Sequence, residues 1–287
     1  MLMTALIWAA LAASPASTAS RIPPAIYTDP VHDIAHPARM EVLHIPSDDV
    51  QINGVAYLAA GAGPRPTIII CHGLPGNEKN LDLAQALRRA GWNAITFNYR
   101  GSWGSPGRFR FANNPEDVKA VLAYIRSPAN ASMLGIDTNR IVLAGHSMGG
   151  WAAALASEQE SGLRGTILIS AANMGAMGRE PRQMILKHME GDMETLATTT
   201  PDAMTNEISA RADDYDFMNG AAALTKRPLL VLSSDDGLAP MTDALVTAVR
   251  QAGGKQVTAI HVATDHGWSD RRIRLQTEIL NWLAKLK

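Results

Sequence analysis

The segment Ile141-Val142-Leu143-Ala144-Gly145-His146-Ser147-Met148-Gly149-Gly150 decides the predicted fold. It begins as a short apolar run, typical of a buried strand, and it leads into a small-residue stretch at 149–156 that suits a helix. Gly-x-Ser-x-Gly lies between them, a tight strand-to-helix turn in which a side chain at either glycine would clash. The helix points backbone N–H groups and its positive dipole end at Ser147. The pattern therefore makes Ser147 a candidate nucleophile at the carboxyl end of a strand.

Strands and helices alternate on both sides of this segment. Apolar and β-branched runs predict strands at 41–45, 67–71, 93–97, 166–170, 229–232 and 257–262. Helical spacing of apolar residues predicts helices at 81–87, 115–125, 241–252 and 273–286. In the segment 50–58, Asn53-Gly54 lies between apolar residues and signals a hairpin turn. The alternation predicts an α/β fold, a mostly parallel twisted sheet with helices on both faces.

The 287 residues suit one domain with an insertion. Residues 1–20 hold an uncharged apolar run followed by small residues, which predicts a signal peptide and an exported protein, periplasmic in a bacterium or secreted. No Lys or Arg precedes the run, so an uncleaved anchor and a misassigned start codon stay open. A Pro-rich extended arm is expected at 21–39 and the α/β domain at 40–287. The Met-rich stretch at 171–224 interrupts the alternation and predicts a short helical lid.

Composition excludes several classes of partner. The formal net charge is −1 and no run of five like charges occurs, which argues against nucleic acid and anionic membrane surfaces. Cys71 is the only cysteine, so neither an intramolecular disulfide nor a Cys-ligated metal site is expected. The amino-terminal apolar run is too short for a comfortable membrane span, so no integral span is expected in the mature chain. No cofactor or metal is implied, and nothing determines the oligomeric state.

A serine hydroxyl needs a base, and His266 is the strongest candidate among eight histidines. It follows the strand at 257–262, and loops after parallel strands gather at the edge where Ser147 lies. His261, inside that strand, is expected to be packed in the core, and His146 to point away from the serine's pocket. His32, His36 and His44 lie before the parallel core, and His188 is expected on the surface of the insertion. His72 belongs to the turn that follows the strand at 67–71.

The base needs a carboxylate to orient it. Asp235 and Asp236 follow the strand at 229–232 and end at the same edge, whereas Asp265 is disfavoured because adjacent residues rarely face each other correctly. The oxyanion of the transition state needs donors. Backbone N–H groups of Leu74, in the turn Cys71-His72-Gly73-Leu74-Pro75-Gly76, and of Met148 could converge on one oxygen.

The order Ser…Asp…His resembles the α/β-hydrolase superfamily over about residues 40–287. The His72-Gly73 turn is similar to its oxyanion loop, and Asn98-Tyr99-Arg100-Gly101-Ser102-Trp103-Gly104-Ser105 to the segment after its next strand. The resemblance places the acid four residues before a proline, which selects Asp236 through Pro240, and it places a lid at 171–224. Where the family commonly has glycine before the acid, this chain has Ser233 and Ser234. The short lid and Asp265-His266-Gly267-Trp268 look like the dienelactone-hydrolase and prolyl-oligopeptidase-like branches.

These residues predict a serine hydrolase of small to medium carboxylic esters, with Ser147, His266 and Asp236 catalytic and Leu74 and Met148 forming the oxyanion hole. A peptidase or amidase could use the same residues on a short peptide, and an acyltransferase would pass the acyl group to another alcohol. Charged anchors for a peptide are only suggested by Arg179, Glu180 and Arg182. A non-catalytic binding protein is disfavoured, because no member of the set is missing.

Overall fold

A computed structural model describes residues 21–286, so the predicted signal peptide lies outside the described residues. Eight strands in this range form a sheet in the order β1-β2-β4-β3-β5-β6-β7-β8. Only the β1–β2 and β2–β4 pairings are antiparallel, which confirms the mostly parallel sheet. The strands are β1 Arg39–Ser47, β2 Val50–Leu58, β3 Arg65–Cys71, β4 Asn93–Phe97, β5 Ile136–His146, β6 Gly165–Ile169, β7 Leu229–Ser233 and β8 Val257–His261.

Helices cover both faces of the sheet. They are α1 Leu81–Arg89, α2 Asn113–Arg126, α3 Pro128–Leu134, α4 Met148–Gln159, α5 Met174–Gly178, α6 Arg182–Gly191, α7 Pro201–Ala210, α8 Ala221–Leu224, α9 Ala239–Gln251 and α10 Arg272–Leu283. Ile68 and Ile70 of β3 face the core beneath α1 and α10, whereas Ile69 and Cys71 face the core beneath α2, α4 and α9. Because successive strand residues point to opposite faces, a central strand covered on both sides reads as a continuous apolar run.

The hairpin predicted at Asn53-Gly54 is wrong. β2 continues through both residues. The turn lies directly before β2, at Asp48-Asp49, between the paired residues Ser47 and Val50. Gly54 serves close packing instead, since a Cβ there would lie 3.0 Å from the carbonyl oxygen of Thr96 on the neighbouring strand. Glycine inside a strand commonly marks such an approach rather than a turn.

The insertion between β6 and β7 contains helices α5 to α8 and a 3₁₀ turn, Phe217–Gly220. Three of its methionines, Met174, Met189 and Met204, are buried in the same core as α4, so they pack the insertion against the body. The amino-terminal arm contacts α1, where the Arg89 guanidinium donates hydrogen bonds to the carbonyls of Ala25 and Ile26 in the arm. No helix between residues 21 and 286 is both long and apolar enough to traverse a bilayer.

Candidate active site

The turn between β5 and α4 holds Ser147 in a strained conformation, with φ 58° and ψ −124°. Close packing explains the glycines around it. A Cβ at Gly145 would lie 2.0 Å from the carbonyl oxygen of Gly149, and one at Gly149 would lie 2.2 Å from that of Cys71. A positive φ at a non-glycine residue persists only where the surroundings over-determine it. The local sequence therefore builds a turn that lifts Ser147 out of the sheet, and its side chain is partly exposed.

His266 and Asp236 meet at the same edge of the sheet. His266 Nδ1 donates to Asp236 Oδ2 at 2.7 Å, which leaves Nε2 of the neutral ring free to accept a proton. Burial by itself would raise the pKa of Asp236. Hydrogen bonds from His266, the Leu238 amide and the Ser234 hydroxyl outweigh it, and the pKa falls from 3.8 to about 2. Asp236 is therefore an ionised, fixed acceptor at neutral pH.

The turn of Ser147 contacts the His266 loop through His146, whose Nε2 lies 2.8 Å from the carbonyl oxygen of His266, but Ser147 itself is not hydrogen-bonded to the pair. Gly73 of the turn after β3 packs against the serine, since a Cβ at that glycine would lie 2.9 Å from Ser147 Cβ. Among the hydrogen bonds of residues 21–286, none involves Ser147 Oγ. Hydrogen bonds between catalytic groups are often long or poorly aligned before substrate binds.

Two other predicted positions fall elsewhere. Asp235 bonds His261 instead of His266, with His261 Nε2 and Asp235 Oδ1 2.9 Å apart. The expectation that His261 is packed in the core is wrong, because β8 is an edge strand and about half of this side chain is exposed. Asp265 caps its own turn by accepting the Ser269 N–H at 2.7 Å, and within residues 21–286 no hydrogen bond joins its carboxylate to the adjacent imidazole.

His146 takes part in the site in a way that the sequence analysis missed. Its Nε2 lies 2.8 Å from the carbonyl oxygen of His266, and the two ring centroids are 4.6 Å apart. Burial lowers the pKa of His146 from 6.5 to about 4, so the ring is neutral at neutral pH and donates from Nε2 to that carbonyl. The position directly before Ser147 thus fixes the backbone of the loop that carries His266.

The two predicted oxyanion donors lie on either side of Ser147. Met148 is the first residue of α4, where a helix leaves N–H groups without an intrahelical acceptor. Leu74 follows Gly73, which contacts the serine. No turn or loop backbone bond within the described range uses either N–H. Both amides are therefore free to bind an oxygen from the substrate.

The insertion contacts the turn that carries Leu74 directly. Trp103 Nε1 and Thr195 Oγ1 both donate to the carbonyl of Pro75, at 2.7 and 2.9 Å. A short antiparallel bridge, Ser102 with Leu196, joins the segment after β4 to the insertion. The position of the turn that carries Leu74 thus depends on the insertion, which the strand and helix pattern did not predict.

A family model described as the alpha/beta hydrolase family matches residues 68–278. The chain belongs to the alpha/beta hydrolase family. This membership confirms the predicted resemblance and indicates a hydrolase. The match begins in β3 and ends in α10, and it includes the turn after β3, the Ser147 turn and the loop of His266.

This alpha/beta hydrolase is 27% identical over 114 residues to an uncharacterized protein of Mycobacterium tuberculosis, and the match covers 39% of each chain. It thus spans about two fifths of the length of that relative. An esterase of Pyrobaculum calidifontis is 18% identical with a TM-score of 0.64, covering 87% of this chain and 86% of its own. An acylaminoacyl peptidase of Pyrococcus horikoshii is 16% identical with a TM-score of 0.61, covering 86% and 41%. At these identities, the two structures establish a common fold.

Proposed function

We propose that this chain hydrolyses small to medium carboxylic esters through an acyl-enzyme on Ser147. The observation that carries the proposal is the His266–Asp236 hydrogen bond beside the strained Ser147 turn. Ser147 Oγ attacks the ester carbonyl while His266 Nε2 takes its proton, and the N–H groups of Leu74 and Met148 bind the oxyanion. His266 then protonates the departing alcohol. Water, activated by the same imidazole, releases the acid and regenerates Ser147.

An apolar acyl group suits the surroundings of the turn. Ser147 O accepts the Ala172 N–H at 3.1 Å, and the next residue, Asn173, donates its N–H to Met241 Sδ at 3.4 Å. Met241 and Leu74 are both partly exposed and pack against the main core. These side chains would contact an aliphatic acyl chain, and their flexibility would accommodate several lengths.

Two arginines of the insertion do not favour a peptidase that grips the carboxyl end of a peptide. Arg179 is paired with Asp213 and Asp216, at 2.8 and 2.7 Å. Arg182 is paired with Asp202 at 2.6 Å. A cation that already has a carboxylate partner would have to exchange it for the peptide carboxylate, so an ester substrate without such an anchor fits better.

The test is hydrolysis of p-nitrophenyl esters of rising acyl length by the wild type and by Ser147→Ala. We expect turnover by the wild type and loss of about 10⁴-fold or more in the variant. Ser233→Ala is the matched control, because Ser233 also lies beside a histidine–aspartate pair, with its Oγ 3.0 Å from His261 Nδ1. That variant should keep wild-type turnover.

A fluorophosphonate probe separates the ways in which the proposal can fail. If Ser147 is labelled but no ester is turned over, the serine is activated and the substrate class is wrong, so amides are tested next. If the wild type neither hydrolyses the esters nor is labelled at Ser147, the catalytic assignment fails and a binding role replaces it. We further propose that residues 1–20 direct export, which amino-terminal sequencing of the exported protein would test.

A further inference from the structure

Two buried serines lie behind the Asp236 carboxylate and have no part in the chemistry proposed above. Ser170, directly after β6, and Ser234, directly after β7, are at most 1% exposed. Their hydroxyl oxygens are 2.7 Å apart, because β6 and β7 are neighbours and end side by side. Ser234 occupies one of the positions before the acid where the resemblance commonly has glycine. A buried hydroxyl needs hydrogen-bond partners, so the groups that the Ser234 hydroxyl bonds indicate what it does at this position.

The direction of the hydrogen bonds through these serines is fixed at both ends. At one end, the buried indole of Trp268 donates from Nε1 to Ser170 Oγ at 3.0 Å, and an indole N–H can only donate. At the other end, the Asp236 carboxylate accepts from Ser234, and an ionised carboxylate can only accept. Ser170 therefore donates to Ser234, and Ser234 donates to Asp236. Every hydrogen in the chain points toward the carboxylate.

Two members of this chain, Ser170 and Trp268, have a backbone in the left-handed region. Ser170 has φ 42° and Trp268 has φ 58°, and Ser147 shares this unusual region. Such conformations are unfavourable and persist where the surroundings demand a particular geometry. Trp268 is also two residues after His266, so its anchored indole fixes the loop of the base as well as the serine chain.

We propose that Trp268, Ser170 and Ser234 are positioning residues that hold Asp236 as an oriented acceptor for His266 Nδ1. The proposal rests on the proposed function, in which His266 is the base. Hydrogen bonds aligned in one direction polarise each other, so the donor that reaches the carboxylate is stronger than an isolated hydroxyl. That donor limits the negative charge available to His266 and fixes the oxygen that faces the imidazole.

The test is the pH dependence of kcat/KM for the best ester, in Ser234→Ala, Ser170→Ala and Trp268→Phe. Without the Ser234 donor the carboxylate is more basic and holds the protonated His266 more strongly. We therefore expect the acidic limb in Ser234→Ala to move to higher pH by about 0.5–1 unit. The kcat should fall about 3- to 10-fold with KM within about twofold, because the chain lies behind the acid. The other two variants should shift the limb in the same direction by less.

Two controls separate positioning from stability. Ser157→Ala removes one member of another buried hydroxyl pair, in which Ser157 Oγ lies 2.8 Å from Thr166 Oγ1, and its acidic limb should match the wild type. Ser234→Thr keeps the donor and should restore the wild-type limb. If Ser234→Ala does not fold, the profile of Trp268→Phe decides.

An acidic limb that stays at the wild-type pH in both Ser234→Ala and Trp268→Phe overturns the positioning role. This result is distinct from failure of the proposed function, in which Ser147→Ala would retain activity. A shifted limb that Ser157→Ala shows equally would also reject the proposal, because the shift would then follow from loss of any buried hydroxyl.

Discussion

Two histidine–aspartate pairs lie side by side at the carboxyl ends of β7 and β8, and they differ mainly in burial. Asp236 pairs with His266 at 2.7 Å, and Asp235 pairs with His261 at 2.9 Å. The Asp236 side chain is 3% exposed, whereas that of Asp235 is 61% exposed. Each pair even has a serine nearby. Hydrogen-bond length therefore does not distinguish the candidate catalytic pair from the other.

The surroundings of each pair supply the distinction. The Leu238 N–H donates to Asp236 at 2.9 Å, and Ser234 adds a second donor, so this carboxylate stays charged in a buried place. Ser147 occupies a turn in front of a helix terminus, whereas Ser233 lies in the last position of a buried strand. Water screens the charge of the exposed pair, which weakens its electrostatic interaction. Position in the fold, rather than residue type, therefore distinguishes the proposed catalytic pair from the exposed one.

The largest expected difference is in kcat, between the variants Asp236→Asn and Asp235→Asn. An amide at position 236 would favour the wrong tautomer of His266, so kcat should fall about 10⁴-fold with little change in stability. Asp235→Asn should stay within about threefold of the wild type, since its partner His261 does not contact the candidate site. Ester hydrolysis under saturating substrate measures both. A larger loss in the Asp235 variant would reverse the assignment of the two carboxylates.

A second difference is the anchor that His146 provides to the His266 loop, for which the exposed pair has no counterpart in the described structure. The pKa of His146 is about 4 in the folded protein, compared with an ordinary value of 6.5. The neutral ring therefore stabilises the fold above pH 6.5. This stabilisation is lost as the pH falls from 6.5 toward 4, because the unfolded chain binds the proton first.

Replacing His146 with Gln removes that titration. Between pH 7.5 and pH 4.5, the free energy of unfolding of the wild type should decline by about 2–3 kcal/mol more than that of His146→Gln. Urea unfolding at both pH values measures this. His72 and Glu158 have shifted pKa values as well. The wild type and His146→Gln both retain these two residues, so their contribution cancels in the comparison. Equal pH dependence in the two proteins would mean that His146 is not held neutral by the fold.

The fold and the turn at Ser147 could be predicted from sequence because their constraints are local. Gly145 and Gly149 are required by contacts within a few residues or with an adjacent strand end, and the run 67–71 is continuous because both faces of β3 are covered. The order of strands and their loops then placed His266 and Asp236 at one edge. Asn53-Gly54 misled because the same dipeptide serves either a hairpin turn or a close strand approach, and only the register separates the two.

The supporting contacts of the site could not be predicted. Ser170 meets Ser234 only because β6 and β7 pair with Ile169 opposite Leu232, and Trp268 reaches Ser170 across 98 residues of sequence. The sequence position of His146, directly before Ser147, gives no indication that its ring reaches the carbonyl of His266. The exposure of His261 likewise depends on β8 being an edge strand, which the apolar pattern of 257–262 does not reveal.

The smallest expected effect is the coupling between Asp235 and His261. Because both side chains are more than half exposed, a double-mutant cycle with Asp235→Asn and His261→Gln should give an interaction energy below about 0.5 kcal/mol in the free energy of unfolding. The same cycle built on kcat/KM should give no coupling, since neither side chain takes part in the proposed chemistry. A coupling of about 2 kcal/mol or more in either quantity would show that exposure does not weaken this pair, and the distinction between the two pairs would then have to rest on Ser147 alone.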